Sequence, residues 1–209
     1  MPGTGPVTAP APPTASQALE RLLEGNARFV RGEAHVAAAA PGPRAELVEG
    51  QHPWATILGC SDSRVPPELI FDAAFGELFV IRIAGNIISP EVGGTLQYAG
   101  THLATRLFVV VGHEGCGAVA AAVAAKRGIH TAKERIRLLL ESIAPGLVDF
   151  ELGGSPAEEL GRAVEANVRW SVKRVADSPE GQAALATGGV KLVGAVYELA
   201  TGRVRLLIP

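Results

Sequence analysis

The chain has 209 residues, 47% of them hydrophobic, which is enough to bury the core of one α/β domain without requiring a second. A formal net charge of -2 and a pI near 6.2 give no electrostatic reason to expect nucleic acid or an anionic membrane as a partner. No apolar run reaches the length of a membrane span.

In chain order, residues 1–15 are rich in Pro, Ala and Thr and lack the charged and apolar regions of a secretory signal. They read as a short disordered leader ahead of a single domain over 16–209, in a soluble protein of a reduced compartment, the cytoplasm. Ser16 is placed to cap a helix in which Leu19, Leu22, Leu23, Ala27 and Val30 recur at helical spacing up to Gly32. This is an amphipathic arm that can pack on its own domain or on a partner. A loop over 34–43 and a short helical stretch from Arg44 to Glu49 follow.

The sheet begins with Trp54 to Gly59, and Leu78 to Ile83 reads as a second strand, with one or two helical turns from Pro66 to Phe71 between them. Residues 84–93 read as a loop, with Gly93-Gly94 a turn, and Gly94 to Thr105 as a helix leading into the strand Leu107 to Gly112. Ala118 to Lys126 and Lys133 to Ile143 are helical. Ser155-Pro156-Ala157-Glu158 forms a capping box for a long helix to about Ala176, on which Trp170 reads as a packing or dimer residue. Val190 to Tyr197 is a last core strand and Val204 to Ile208 an antiparallel edge. The alternation predicts an α/β fold: a mostly parallel central sheet of four strands with an antiparallel edge strand, flanked by helices and carrying an N-terminal helical arm.

The chemistry gathers behind two of these strands. Cys60-Ser61-Asp62-Ser63-Arg64 puts a thiol, a carboxylate and a guanidinium at the mouth of the first; were the backbone to stay extended past Gly59, Cys60, Asp62 and Arg64 would share a face. His113-Glu114-Gly115-Cys116-Gly117 follows the Leu107 strand and holds the only other cysteine. Parallel strands ending side by side bring Cys60, His113 and Cys116 together where open α/β sheets place ligands. Two thiolates and an imidazole suit zinc, with a fourth position left for water or substrate. A Cys60–Cys116 disulfide would leave the flanking C-x-D-x-R and H-x-x-C patterns without a purpose. Gly115 and Gly117 permit a tight turn before the next helix, whose positive end favours the Cys116 thiolate. Asp62 and Arg64 have the spacing of a carboxylate held by a bidentate guanidinium.

With Gly76-Glu77-Leu78-Phe79-Val80-Ile81-Arg82 between them, these two segments resemble the signature of the β-class carbonic anhydrases, in the right order from about Leu19 to Leu206. The resemblance implies one Zn2+ per subunit on Cys60, His113 and Cys116, and reversible hydration of carbon dioxide by metal-bound hydroxide. It implies that Asp62 and Arg64 form a catalytic dyad, and that Gln51, Phe79, Tyr98 and Gly117 contact substrate. It also implies a homodimer or a dimer-based higher oligomer, with the arm reaching across to the neighbouring subunit. Gln51, Phe79 and Tyr98 resemble the plant-type subgroup, whereas Ile57-Leu58-Gly59 lacks the Trp-x-Gly of the bicarbonate-regulated one, although Tyr197 matches a residue seen there. Arg82-Ile83-Ala84-Gly85-Asn86 departs from the usual Arg-Asn-x-x-Asn at Ile83, so altered packing of this loop is expected. Hydrolysis of carbonyl sulfide or carbon disulfide, or a non-catalytic zinc module, fits the same ligand set. For the proton shuttle the histidines available are His35, His52, His102 and His130, none of which the sequence singles out.

Overall fold

The computed structural model describes residues 12–35, 47–129 and 132–207. Helix α1 (Ala15–Arg31) starts two residues earlier than a Ser16 cap would place it. Thr14, not Ser16, is the cap, because Gln17 lies three residues on and its side chain returns to the Thr14 amide at 2.9 Å to complete a capping box. Gly32, at φ 70°, ends the helix in the left-handed region where glycine carries no Cβ penalty.

The arm docks on the domain of its own chain. Ala18 and Leu22 are fully buried, and Asn26 donates to the carbonyls of Ile70 at 3.2 Å and Gly202 at 2.8 Å while accepting from the Val204 amide at 2.9 Å. Arg28 pairs with the buried Asp72 carboxylate at 2.6 Å.

Five strands follow: β1 (Ala55–Gly59), β2 (Leu78–Arg82), β3 (Leu107–His113), β4 (Lys191–Tyr197) and β5 (Val204–Leu207). Their order is β2-β1-β3-β4-β5, with every pairing parallel except β4 with β5. Helix α2 (Pro67–Ile70) lies between β1 and β2, and α3 (Pro90–Thr101) between β2 and β3. Then come α4 (Gly117–Lys126), α5 (Glu134–Ile143), α6 (Pro156–Asp177) and α7 (Pro179–Ala186) before β4. The two central strands are buried along their whole length, as expected for parallel strands covered on both faces. Strand β2 is only half-buried and forms an open edge.

One expected helix start is corrected, and one helix was not anticipated. Helix α3 begins at Pro90 under a Ser89 cap, so Gly93-Gly94 lies within it and is no turn; left-handed Ala104 (φ 53°) lies just past its end. Helix α7 has a serine cap and a proline start like α6, but none of its residues is buried, so no apolar periodicity announced it. Of the stretch expected to be helical from Arg44, only 47–49 is described, with helix at Leu47 and Val48; residues 1–11, most of the 34–43 loop and His130 lie outside the described residues.

Helix α6 lies directly on the sheet because Gly112 in β3 and Gly194 in β4 leave room for it. A Cβ on Gly112 would fall 2.5 Å from Val168 Cγ2, and one on Gly194 3.0 Å from Val168 Cγ1. Trp170 is a packing residue: its ring covers Gly146 and its Nε1 donates to the Ser142 carbonyl at 3.1 Å. Among the described residues no helix is long and apolar enough to cross a membrane.

The sheet order also locates the site. From β1 the chain steps outward to β2, then returns to place β3 on the other flank of β1. The crevice between the carboxyl ends of β1 and β3 is therefore a switch point of the sheet, where ligands of open α/β folds bind.

Candidate metal centre

Gly59 pairs in register with Val111, so Cys60 and His113 emerge side by side at that crevice. Cys116 is the residue before α4, and the turn leading to it depends on Gly115 at φ 65°. Gly117 is the first helical residue and has open space beside it; its own conformation makes no special demand for glycine. The Sγ atoms of Cys60 and Cys116 and a ring nitrogen of His113 all lie within 4.8 Å of one another. All three residues are buried, and the two cysteines are not bonded to each other.

The imidazole is oriented for ligation. His113 Nδ1 lies 2.9 Å from the Glu114 carbonyl, which only accepts, so that nitrogen carries the proton. Nε2 is left as the lone-pair nitrogen, buried without a hydrogen-bond partner among the described residues. A buried, unpartnered lone pair beside two thiols is costly unless a cation uses it, and the set of donors suits zinc. These residues fit the ion that the resemblance implies.

Contact between the two thiols shifts them in opposite directions. Cys60 is pulled down to about 4, chiefly by its hydrogen bond with Cys116 and with help from the backbone amides of Gly85 and Asp62, against the opposing effect of burial. Cys116 moves up instead, because of Cys60 first and burial second; the α4 amides at Val119 and Ala118 favour its thiolate, as expected, but are outweighed. A divalent cation would release the Cys116 proton.

Asp62 and Arg64 converge, but not by the expected extended alternation. The strand ends at Gly59, and residues 62–65 form a turn closed by the Val65 amide on the Asp62 carbonyl at 3.2 Å. Within it, Arg64 grips the carboxylate by Nε on Oδ1 at 2.9 Å and Nη2 on Oδ2 at 2.7 Å, and its own amide adds a third bond to Oδ1 at 3.0 Å. That guanidinium holds the Asp62 carboxyl well below the usual carboxylate range. Oδ2 remains 3.9 Å from His113 Nε2, beside the cluster but turned toward Arg64.

Sequence reasoning missed the residues that brace this loop. Arg82, at the end of β2, donates Nε to the Cys60 carbonyl at 3.0 Å and Nη2 to the Asp62 carbonyl at 2.5 Å. Its place opposite Gly59 in the register was the signal. The loop after β2 is a 3₁₀ turn, Ala84–Asn86, whose carbonyls at Gly85 and Asn86 accept from Asn167 and Ser171 of α6. Both lie on the stripe with Val164 and Val168, and a polar residue on an apolar helix face is a visible anomaly. Ile83, the departure noted above, packs against the core.

The expected substrate residues do not gather around the cluster within one chain. Phe79 and Tyr98 meet, with ring centroids 6.1 Å apart, and Tyr98 stacks on His102 at 4.8 Å. However, Phe79 pairs with Thr56, which places it roughly 13 Å back along the strands from Cys60. Gln51 is exposed ahead of β1, toward the opposite end of the sheet.

A parallel α/β sheet with buried thiol, imidazole and thiol donors at its switch point defines a metalloenzyme type of domain, and comparison with known proteins narrows it. The carbonic anhydrase family model matches residues 55–204. Carbonic anhydrase 2 of Mycobacterium tuberculosis strain H37Rv is 38% identical over 205 residues, covering 97% of this chain and 93% of that protein. The carbonic anhydrase of Mycolicibacterium smegmatis is 34% identical over 206 residues, covering 99% and 95%. Among solved structures, a tetrameric β-carbonic anhydrase of Sordaria macrospora aligns at TM-score 0.72 with 25% identity, covering 91% of this chain and 97% of that one. The Coccomyxa β-carbonic anhydrase in complex with acetazolamide aligns at 0.71 with 30% identity, covering 91% and 86%. This chain belongs to the β-class carbonic anhydrase family.

Proposed function

We propose that the protein catalyses the reversible hydration of carbon dioxide to bicarbonate and a proton, using one zinc ion per subunit held by Cys60, His113 and Cys116. The observation that carries this reading is the cluster of three donor atoms within 4.8 Å, bordered by an arginine-clamped aspartate, in a carbonic anhydrase chain. When bound, zinc supplies Lewis acidity that lowers the pKa of water and so makes a nucleophile available near neutral pH.

The chain's own groups do the rest. Asp62, ionised and fixed, accepts a hydrogen bond from the nucleophilic oxygen and orients that oxygen's lone pair toward the substrate carbon. Arg64 keeps both carboxylate oxygens engaged, so that Asp62 does not itself compete for the cation. Arg82 holds the carbonyls on either side of Ser61 and keeps Cys60 and Asp62 in register.

Phe79, Tyr98 and Gln51 line the apolar approach for carbon dioxide, but in the site of a neighbouring subunit. Their distance from the cluster of their own chain and the uncovered β2 edge both support a homodimer or a dimer-based oligomer, as does the tetrameric Sordaria relative. Between His35, which pairs with Asp72 near the arm, and His102, which stacks on this pocket wall, His102 is the better placed to move a proton. Free ligand thiols support a reducing compartment such as the cytoplasm.

Stopped-flow hydration of carbon dioxide by native, chelator-treated and zinc-restored protein tests the proposal. Activity should vanish with the metal and return with it. Zinc-replete protein that does not hydrate carbon dioxide would remove the reading.

A further inference from the structure

The Cys60 sulfur accepts a hydrogen bond from the Gly85 amide at 3.4 Å, and the geometry of Gly85 is held from a distance by α6. Gly85 sits at φ 69° inside the 3₁₀ turn, in the left-handed region. A Cβ there would lie 2.9 Å from Ile143 Cδ1 and 3.2 Å from Ala118 Cβ, so neither side of the turn has room to shift. Its carbonyl accepts from Asn167 Nδ2 at 2.8 Å. One residue thus presents its amide to a ligand sulfur and its carbonyl to a helix, with Asn167 itself 1% exposed. One turn further along α6, Ser171 Oγ donates to the Asn86 carbonyl at 3.0 Å, on the same turn but without a link to sulfur.

We propose that Asn167 is a positioning residue for the metal centre: through Gly85 it aims a backbone N–H at the Cys60 thiolate, orienting that sulfur and moderating its charge. This rests on the reading of Cys60 as a zinc ligand. Outer partners of metal ligands fix orientation and electron density, and their removal typically costs metal affinity without removing a ligand. Ser171 supplies the contrast, because it secures the same turn yet bonds the next carbonyl.

The test compares Asn167→Leu, which keeps the branched shape and loses the donor, with Ser171→Ala. Zinc affinity is measured by competition with a chromophoric chelator, and the thiolate-to-metal charge-transfer band is recorded after cobalt substitution. Asn167→Leu should weaken zinc binding about 10–100-fold and shift the cobalt band with stoichiometry unchanged. Ser171→Ala should lower Tm and leave both readouts alone. Native affinity and native cobalt spectrum in Asn167→Leu would overturn the proposal, even if its Tm falls. Should Asn167→Leu fail to fold, the native protein loaded with a spin-one-half cadmium isotope decides the matter by NMR. A scalar correlation between the metal and the Gly85 amide proton, transmitted through Cys60, is expected, and its absence refutes the relay. A native chain that takes up no metal overturns the zinc reading and this proposal together, whereas uptake without the Gly85 correlation overturns this proposal alone.

Discussion

Replacing Asp62 by asparagine separates the catalytic role proposed for the Asp62–Arg64 pair from its structural one. The carboxylate accepts three hydrogen bonds from Arg64, at 2.7, 2.9 and 3.0 Å. However the new amide turns, one guanidinium N–H faces a donor and the ion pair is gone. Hydrogen bonds to charged groups are worth about 1.5–3 kcal/mol. Arg64 is half exposed, so water takes over much of that interaction, and the stability lost should be about 1 kcal/mol or less. The rate should suffer far more, because a preorganised partner of the reacting group is worth about 10²–10³-fold in turnover, or about 2.7–4 kcal/mol of barrier. Zinc content should not change, since all three donors remain. Stopped-flow carbon dioxide hydration with metal analysis on the same samples reads both quantities. Full zinc occupancy with turnover within about twofold of native would refute the orienting role, since the expected loss is far larger. The pH dependence adds a sign. Arg64 depresses the folded-state pKa of Asp62, so the stability it contributes is complete above the ordinary carboxylate value and is lost only as pH falls through the depressed one. The stability gap between native and Asp62→Asn protein should therefore stay constant from about pH 8 down to about pH 5; closure of the gap within that range contradicts the clamp.

Other substitutions test the framework. Gly112→Ala drives a methyl against Val168 and should cost about 1–3 kcal/mol, with partial recovery in the Gly112→Ala, Val168→Ala double variant; thermal unfolding of the set checks this, and additive losses would show the contact is not the cause. Leu22→Ala removes a side chain buried on its own subunit and should cost about 2–5 kcal/mol at every protein concentration. If the loss appears only on dilution, as subunits part, then the arm packs on a neighbour. Chelation should lower Tm while leaving the far-ultraviolet circular dichroism intact, because the sheet does not depend on the metal to form; collapse of that signal on chelation would contradict this.

The donor residues were legible because their chemistry is carried by side-chain type: the only two cysteines each follow a strand, one directly and one three residues past a histidine, and the strands themselves are continuous apolar runs. The dyad was legible as a pair but not as a shape. Alternation along an extended strand predicted its convergence, whereas a turn at 62–65 produces it, since the chain must leave the sheet at Gly59 to clear the crevice. Asn167 stood out as a polar residue on an apolar stripe, but the partners of Arg82, Gly85 and Asn167 were not legible, because each acts through a backbone group of a segment distant in sequence. The start of α3 was missed for a different reason. The glycine pair at 93–94 pointed to a turn, whereas the Ser89 cap and the proline at 90 decide where the helix begins and it runs on through both glycines.

The long interval between Cys60 and His113 has a physical consequence. In a short zinc knuckle the metal organises the chain, but here each donor is oriented by a different element. Gly85 of the 3₁₀ turn holds the Cys60 sulfur, the Glu114 carbonyl sets the His113 tautomer, and the first turn of α4 presents Cys116. The entropy of gathering three donors is thus met during folding by the sheet, whose two central strands are buried throughout. The same sheet leaves its β2 edge open and half-buried, with Tyr98 exposed beside Phe79. A rigid donor set at a switch point and an aromatic pair at an open edge are separate features of one fold; under the proposed reading a second subunit brings the pair to the donors, and the fold completes only the donor set by itself.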